Sequence, residues 1–277
     1  FPNITILQIS TASLMLKLLN RNDLLALNRI ILRSHGVGCL VVENPPSRGG
    51  DNVQKLDSES ITLRGLTVGY DEALVLDINK TIYPGDTIAI LGASGIGKTT
   101  LMRTIAGLIR PLSGEIFHDY PRRGGIGYIP QRLGLVRHSS VRSNIALGAR
   151  TRRSKWYPSW YPLDSSLKED VDNAMKALKI EDIADEPVRI LSGGQQRRVA
   201  IARTLVQRPR IILADEFLGE LDKDNVKSII TATKKIVDEI GATLVLIEHH
   251  EERAIEIADR IWRIVDKKLI EEGDSNQ

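Results

Sequence analysis

Nine consecutive residues concentrate the chemistry that can be read most directly: Gly92-Ala93-Ser94-Gly95-Ile96-Gly97-Lys98-Thr99-Thr100. The spacing is G-x-x-x-x-G-K-[ST], a loop that cradles phosphates. Its glycines let the backbone turn tightly enough to aim several N–H groups at one phosphate chain. Lys98 would reach the β- and γ-phosphates, and Thr99 would place its hydroxyl on Mg²⁺. Such a loop works only between a strand and a helix, and both are written beside it. Thr87 to Leu91 is an apolar run of strand length, and Leu101, Ile105 and Leu108 recur at helical spacing. The helix adds the positive end of its dipole to the site. The chain is therefore expected to bind a nucleoside triphosphate.

Composition bounds what that binding can serve. The 277 residues are 42% hydrophobic and 26% charged, the balance of a globular protein with a real core. A net charge of +3 is too small to argue for nucleic acid. Cys39 is the single cysteine, which excludes an internal disulfide and a cysteine-based metal site. No stretch approaches the roughly 18–20 apolar residues of a membrane span. Work at a membrane would go through a partner.

Residues 1–59 read as an N-terminal extension and a Gly-, Pro- and Ser-rich linker outside the core fold, with an amphipathic docking helix over Leu14–Leu32 as the alternative. From residue 60 to about 273 the pattern becomes regular. Ile61 to Val68 and Leu74 to Ile78 read as strands, and Glu115 to Phe117 and Gly127 to Ile129 as short ones. Ile211 to Ala214 is a continuous apolar run, as expected of a strand buried on both faces, and it ends in Asp215-Glu216. Val226 to Ile240 reads as a helix stopped by Gly241, Ala242 to Ile247 as a second buried strand ending near His249-His250, and Ile261 to Ile270 as a hairpin around Asp266-Lys267. Strands alternating with helices around a phosphate loop predict an α/β fold with a mainly parallel sheet. Between 132 and 206 the character is helical, with Val171, Met175, Leu178 and Ile180 on one face and a short helical turn starting at Ile183. Trp156, Tyr157, Trp160 and Tyr161 crowd together here although aromatics are only 4% of the chain. The cluster is either a loop packed on itself or a partner contact.

Leu191-Ser192-Gly193-Gly194-Gln195, followed by Gln196 to Arg203, resembles the signature of ABC-type ATPases. The resemblance covers roughly residues 60–273 and implies a P-loop NTPase fold of that type: the parallel core, an antiparallel β subdomain and an inserted α-helical subdomain at about 132–206. It implies roles residue by residue. Tyr70 matches the aromatic that stacks on adenine, and Gly92 to Thr100 the Walker A loop. Gln131 matches the Q-loop glutamine, which serves both metal and catalysis. Asp215 matches the Walker B aspartate that holds Mg²⁺ together with Thr99. Glu216 matches the catalytic glutamate, able to orient or deprotonate water. Asp222 ends the D-loop, and His249 matches the switch histidine. Ser192, Gly193, Gly194 and Gln195 would meet the γ-phosphate of an opposing subunit, so ATP implies a dimer of ATPase subunits with shared sites. Three departures stand out. Phe217-Leu218 follows Glu216 where the family usually has Pro. The D-loop reads Gly219-Glu220-Leu221-Asp222 where Ser-Ala-Leu-Asp is usual, which puts coupling between the sites in question. His250 stands where Asp is more frequent.

Within that family three functions compete: the ATPase subunit of an importer with separate membrane permease subunits and a solute-binding protein, a soluble protein of DNA repair or translation, and an accessory of a phosphonate-degrading complex. The gap from Thr99 to Leu191 is too short for the heptad coiled coils of repair relatives. The sequence shows no second phosphate loop, as translation relatives have, and no fused membrane helices. The expectation is an importer subunit, peripheral on the cytoplasmic face of the membrane and without nucleic-acid partners, with a lipoprotein-release or efflux-type cassette as a further alternative. Asn144 to Arg150 followed by the aromatic-containing insertion is similar to phosphonate-importer ATPases, which suggests a phosphonate or related oxyanion as solute. The permease contact is expected between Gln131 and Asn144, with Leu133, Leu135 and Val136 supplying apolar surface and the aromatic cluster flanking it.

Overall fold

A computed structural model describes residues 60–121, 123–154, 156–158, 161–218 and 223–272. The N-terminal extension, Cys39, Trp160, Gly219, Glu220 and Asp222 lie outside the described residues. Three strands, β1 (Ile61–Gly69), β2 (Ala73–Ile82) and β4 (Ser113–Phe117), form an antiparallel sheet in the order β2-β1-β4. The second sheet has six strands: β5 (Ile126–Ile129), β6 (Ile211–Ala214), β7 (Thr243–Ile247), β3 (Thr87–Leu91), β8 (Arg260–Val265) and β9 (Lys268–Glu271), in that spatial order. All pairs are parallel except β8 with β9. That last pair is a hairpin whose turn residues Asp266 and Lys267 both have positive φ, 47° and 61°, matching the right-handed twist of its strands.

The central strands β3, β6 and β7 are buried at every position, which explains their unbroken apolar sequence. Alternate residues feed two cores because successive side chains on a strand point to opposite faces. Ile88, Ile90, Ile211, Leu213, Val245 and Ile247 pack with the antiparallel sheet and with helix α1 (Lys98–Ile105). Ala89, Leu91, Ile212, Ala214, Leu244 and Leu246 face the other helices. These are α2 (Val141–Ala149), α3 (Ser165–Ala177), α4 (Gly193–Leu205), α5 (Lys223–Ile240) and α6 (Glu251–Ile257). Helix α2 lies close on α4: a Cβ at Gly148 would fall 1.9 Å from the Arg203 carbonyl oxygen. Where the two sheets meet, Arg260 donates to the Thr81 carbonyl (3.0 Å), to Glu271 Oε1 (2.6 Å) and to Asp86, while Lys80 also bonds Glu271 (3.1 Å).

Three details differ from the sequence reading. Leu108 is not on α1, which ends at Ile105; Gly107 takes φ 71° and Leu108 is exposed. Helix α3 stops at Ala177, and Lys179 at φ 55° turns the chain so that Leu178 and Ile180 enter the core from outside the helix. Ile183 closes the 3-10 turn Glu181–Ile183 rather than starting one.

Candidate active site

The register of the parallel sheet gathers the site. Ile90 pairs with Ile247, Leu246 with Ala214, and Ala214 with Ile129. The residues that follow these strands, Gly92, Glu248-His249, Asp215-Glu216 and Pro130-Gln131, therefore emerge along one edge, the carboxyl end where open α/β sheets bind ligands.

The phosphate loop depends on backbone shapes that side chains resist. Gly97 takes φ 114°, and a Cβ there would meet the Leu74 Cβ at 2.9 Å. Helix α1 begins directly after it with Lys98. Lys98 is buried, and its Nζ donates to the carbonyl oxygens of Gly92 (2.7 Å) and Ala93 (2.9 Å). Burial pulls its pKa down, partly opposed by the negative charges of Glu216 and Asp215.

Asp215 is also buried, and burial pushes its carboxyl up from the usual range. The Thr99 hydroxyl donates to Asp215 Oδ1 (3.0 Å) and the Tyr128 hydroxyl to Oδ2 (3.1 Å). Thr99 and Asp215 together offer hard oxygen donors. Among the described residues no group of three His, Cys, Asp or Glu could hold a metal by itself. The pair fits a Mg²⁺ ion that takes its remaining ligands from phosphate oxygens and water.

Glu216 sits at φ 50°, in the left-handed region that residues with side chains rarely enter. Its carboxylate is held from two sides: Oε1 lies 2.6 Å from His249 Nε2, and Oε2 accepts from Gln131 Nε2 at 2.6 Å. Gln131, expected on both metal and catalysis, thus stands against Glu216 in this structure. The His249 turn is itself pinned, because the buried Glu248 carboxylate accepts from the backbone N–H groups of His249 (3.0 Å) and His250 (3.2 Å).

Tyr70 follows β1 and is 56% exposed, open to a flat partner. The hydroxyls of Tyr128 and Tyr70 act on Arg103 and raise its pKa. Burial raises Tyr128 itself to about 12, so its phenol stays protonated and keeps donating to Asp215. Sequence reasoning missed Tyr128, Arg103 and Glu248, because each acts on a residue far along the chain or on backbone.

Ser192, Gly193, Gly194 and Gln195 form the start of α4. Ser192 Oγ accepts from the Gln195 backbone N–H (3.3 Å), and Gln195 Oε1 accepts from the Ser192 N–H (2.9 Å), a reciprocal capping box. Ser192 and Gly193 are exposed, and a Cβ at Gly193 would meet nothing within 4 Å. This turn is presented to the outside.

A second concavity, about 650 Å³, opens between α2 and α3. Val136, Leu147, Ala146, Leu163 and Val171 give it an apolar lining, and the Arg142–Asp172 ion pair stands among its walls. Of the three residues expected to face a partner here, Val136 is exposed, while Leu133 and Leu135 are half-buried and pack against the core. The aromatic insertion beside the groove is organised by Arg153, whose guanidinium lies 4.4 Å from the Tyr157 ring centre and 5.3 Å from that of Tyr161. Trp156 remains 83% exposed.

The chain matches the ABC transporter family model over residues 75–219. It is 35% identical over 222 residues to the sulfate/thiosulfate import ATP-binding protein CysA of Pectobacterium atrosepticum, covering 77% of this chain and 66% of that protein. It is 34% identical over 214 residues to the spermidine/putrescine import ATP-binding protein PotA of Spiroplasma citri, covering 75% of this chain and 58% of that one. The chain thus spans slightly less than two thirds of these relatives. Among solved structures, the ATP-binding cassette MJ0796, a dimeric post-hydrolysis state bound to ADP and Pi, aligns with a TM-score of 0.67 at 27% identity, covering 76% of this chain and 97% of the cassette.

Proposed function

Since the chain belongs to the ABC transporter family, whose model matches just over half of it, we propose that it binds and hydrolyses ATP as the nucleotide-binding subunit of an importer. The observation that carries the reading is the clamped Glu216 carboxylate, between His249 and Gln131 and one residue from the Asp215–Thr99 pair. In this reading Tyr70 stacks on adenine, and the N–H groups from Gly92 to Thr100 wrap the phosphates. Lys98 exchanges its loop carbonyls for phosphate oxygens. Thr99 and Asp215 would hold Mg²⁺, which would supply charge neutralisation at the phosphate oxygens. Glu216 takes up the proton of the attacking water, His249 holds the γ-phosphate, and Gln131 links that region to the groove between α2 and α3. Asp222, outside the described residues, is proposed to take part in nucleotide binding. Because Ser192 and Gly193 are exposed at the start of α4, two chains are proposed to complete each other's sites; the dimeric cassette that aligns with this chain supports that arrangement.

Among the described residues no helix is long and apolar enough to cross a membrane. The proposed placement is peripheral, on the cytoplasmic face, against separate permease subunits that receive solute from a binding protein. The groove between α2 and α3 is the proposed seat for a cytoplasmic permease segment, with Val136 and Leu147 as its exposed apolar contacts and Trp156 at its flank. The solute proposed is a small oxyanion. The sulfate/thiosulfate relative supports that class, while the phosphonate reading rests only on the Asn144–Arg150 run and the insertion. The polyamine relative shows that similar cassettes serve unlike solutes.

The test of the docking reading is a cysteine at Val136, with Cys39 first replaced, in the assembled complex with its permease. Crosslinking to a cytoplasmic permease loop, altered when ATP is trapped, is expected. No crosslink from Val136 while other surface cysteines do react would overturn the site.

A further inference from the structure

Helix α4 joins the exposed Ser192 turn to the interior of its own chain through two arginines. Arg197, five residues from Ser192 and so about 7 Å along the helix axis, donates from Nη1 to the carbonyl oxygens of Glu216 (3.2 Å) and Phe217 (2.9 Å). Glu216 is the residue held at φ 50°. Beyond it Phe217 and Leu218 are buried, so the turn is gripped by core packing on one side and by a cationic donor on the other. Further along the same helix, Arg203 donates to the carbonyls of Leu133 (2.7 Å) and Gly134 (2.8 Å), just past Gln131. One rigid helix therefore grips the backbone behind Glu216 and behind Gln131, whose side chains meet at 2.6 Å.

We infer that Arg197 is a positioning residue that ties the Ser192–Gly194 turn to the Glu216 backbone, so that a nucleotide bound against this turn sets the alignment of the chain's own catalytic carboxylate. The inference rests on the reading that Ser192–Gly194 faces the nucleotide of a second chain. Each chain then senses occupancy of its partner's phosphate loop at Ser192 and responds at Glu216, a coupling between two composite sites that runs within one polypeptide. Arg197 acts here through the backbone carbonyls of Glu216 and Phe217.

The experiment compares wild type, Arg197→Gln and Arg197→Lys as full chains. It measures Mg-ATP hydrolysis against ATP and against protein concentration, ATP binding, and thermal midpoint. Arg197→Gln keeps a polar side chain but shortens it and removes the charge and the fork. It is expected to bind ATP within about twofold of wild type, to lose about tenfold in kcat, and to lower the Hill coefficient toward one. Arg197→Lys, which restores a cationic donor, is expected to recover part of both. Wild-type kcat and Hill coefficient in Arg197→Gln would overturn the inference, as would a loss of kcat with cooperativity intact. Equal losses in both variants with a fall in thermal midpoint and ATP binding would reduce Arg197 to a fold residue, also overturning it. If wild type itself shows a Hill coefficient of one and a specific activity independent of protein concentration, the composite-site reading fails first, and this inference with it.

Discussion

Around Glu216 the chain closes on itself, whereas around Ser192 it opens outward. The Glu216 carboxylate has His249 on one oxygen and Gln131 on the other, and Asp215 beside it has Thr99 and Tyr128. Lys98 is buried with its ammonium on two carbonyls. Ser192 and Gly193, by contrast, are exposed on a helix start that carries its own capping box. The first region spends burial and hydrogen bonds to fix charged groups that water would otherwise disperse. The second keeps backbone N–H groups and a helix dipole available at a surface. In the proposed reading, the outward half-site would be completed by another copy.

The largest effect expected from breaking the inner half is Glu216→Gln. The amide keeps the shape of the side chain but cannot take a proton, so turnover should fall by about a hundredfold or more while ATP still binds. Steady-state hydrolysis within about twofold of wild type would remove Glu216 from that role. Ser192→Arg attacks the outer half. It leaves Lys98, Asp215 and Glu216 untouched in its own chain, so ATP binding should persist while hydrolysis drops by about tenfold or more. Mixed with Lys98→Ala chains, it leaves at most one intact composite site per pair, so the mixture should stay below half of wild-type activity. A Ser192→Arg chain as active as wild type would show that the outward turn takes no part in the chemistry.

A smaller effect sharpens the contrast. Tyr128→Phe removes one half-buried hydrogen bond to Asp215, worth about 1 kcal/mol, so hydrolysis should fall by about fivefold or less. A loss beyond about a hundredfold would mean that the phenol does more than support Asp215.

The smallest effect concerns stability. Burial raises the Asp215 pKa, so the folded chain binds that proton more tightly than the unfolded chain does. The ionised carboxylate therefore costs stability above its folded pKa, and the cost is relieved as pH falls through that value toward the unfolded one. At neutral pH, Asp215→Asn should match or exceed the thermal midpoint of the nucleotide-free wild type by about 1–3 °C, although its hydrolysis is lost. Scanning calorimetry without nucleotide checks this, and a midpoint several degrees lower would contradict it.

The central sheet was legible because burial on both faces demands unbroken apolar runs, and Thr87–Leu91 and Ile211–Ala214 meet that demand. The phosphate loop was legible because few residue types tolerate its backbone: the positive φ of Gly97 forces its identity. Positions whose role depends on distant contacts were not legible. Tyr128 meets Asp215, 87 residues away, and Arg197 meets two backbone carbonyls, which carry no side-chain signature. Leu133 and Leu135 read as surface apolars beside Val136, yet they are half-buried against the core, since a loop has no fixed period from which a face can be deduced. Arg153 was one cation among many in the sequence; only the fold shows it between Tyr157 and Tyr161.

The dependence of specific activity on protein concentration tests the two-half account most directly. Hydrolysis per chain is measured at saturating Mg-ATP while the protein is diluted through its association range, with light scattering reporting mass in parallel. The account predicts that activity per chain falls toward zero as dimers dissociate and recovers on reconcentration. Constant activity per chain down to isolated single chains would contradict it, because Ser192 and Glu216 would then be serving one nucleotide without a second copy.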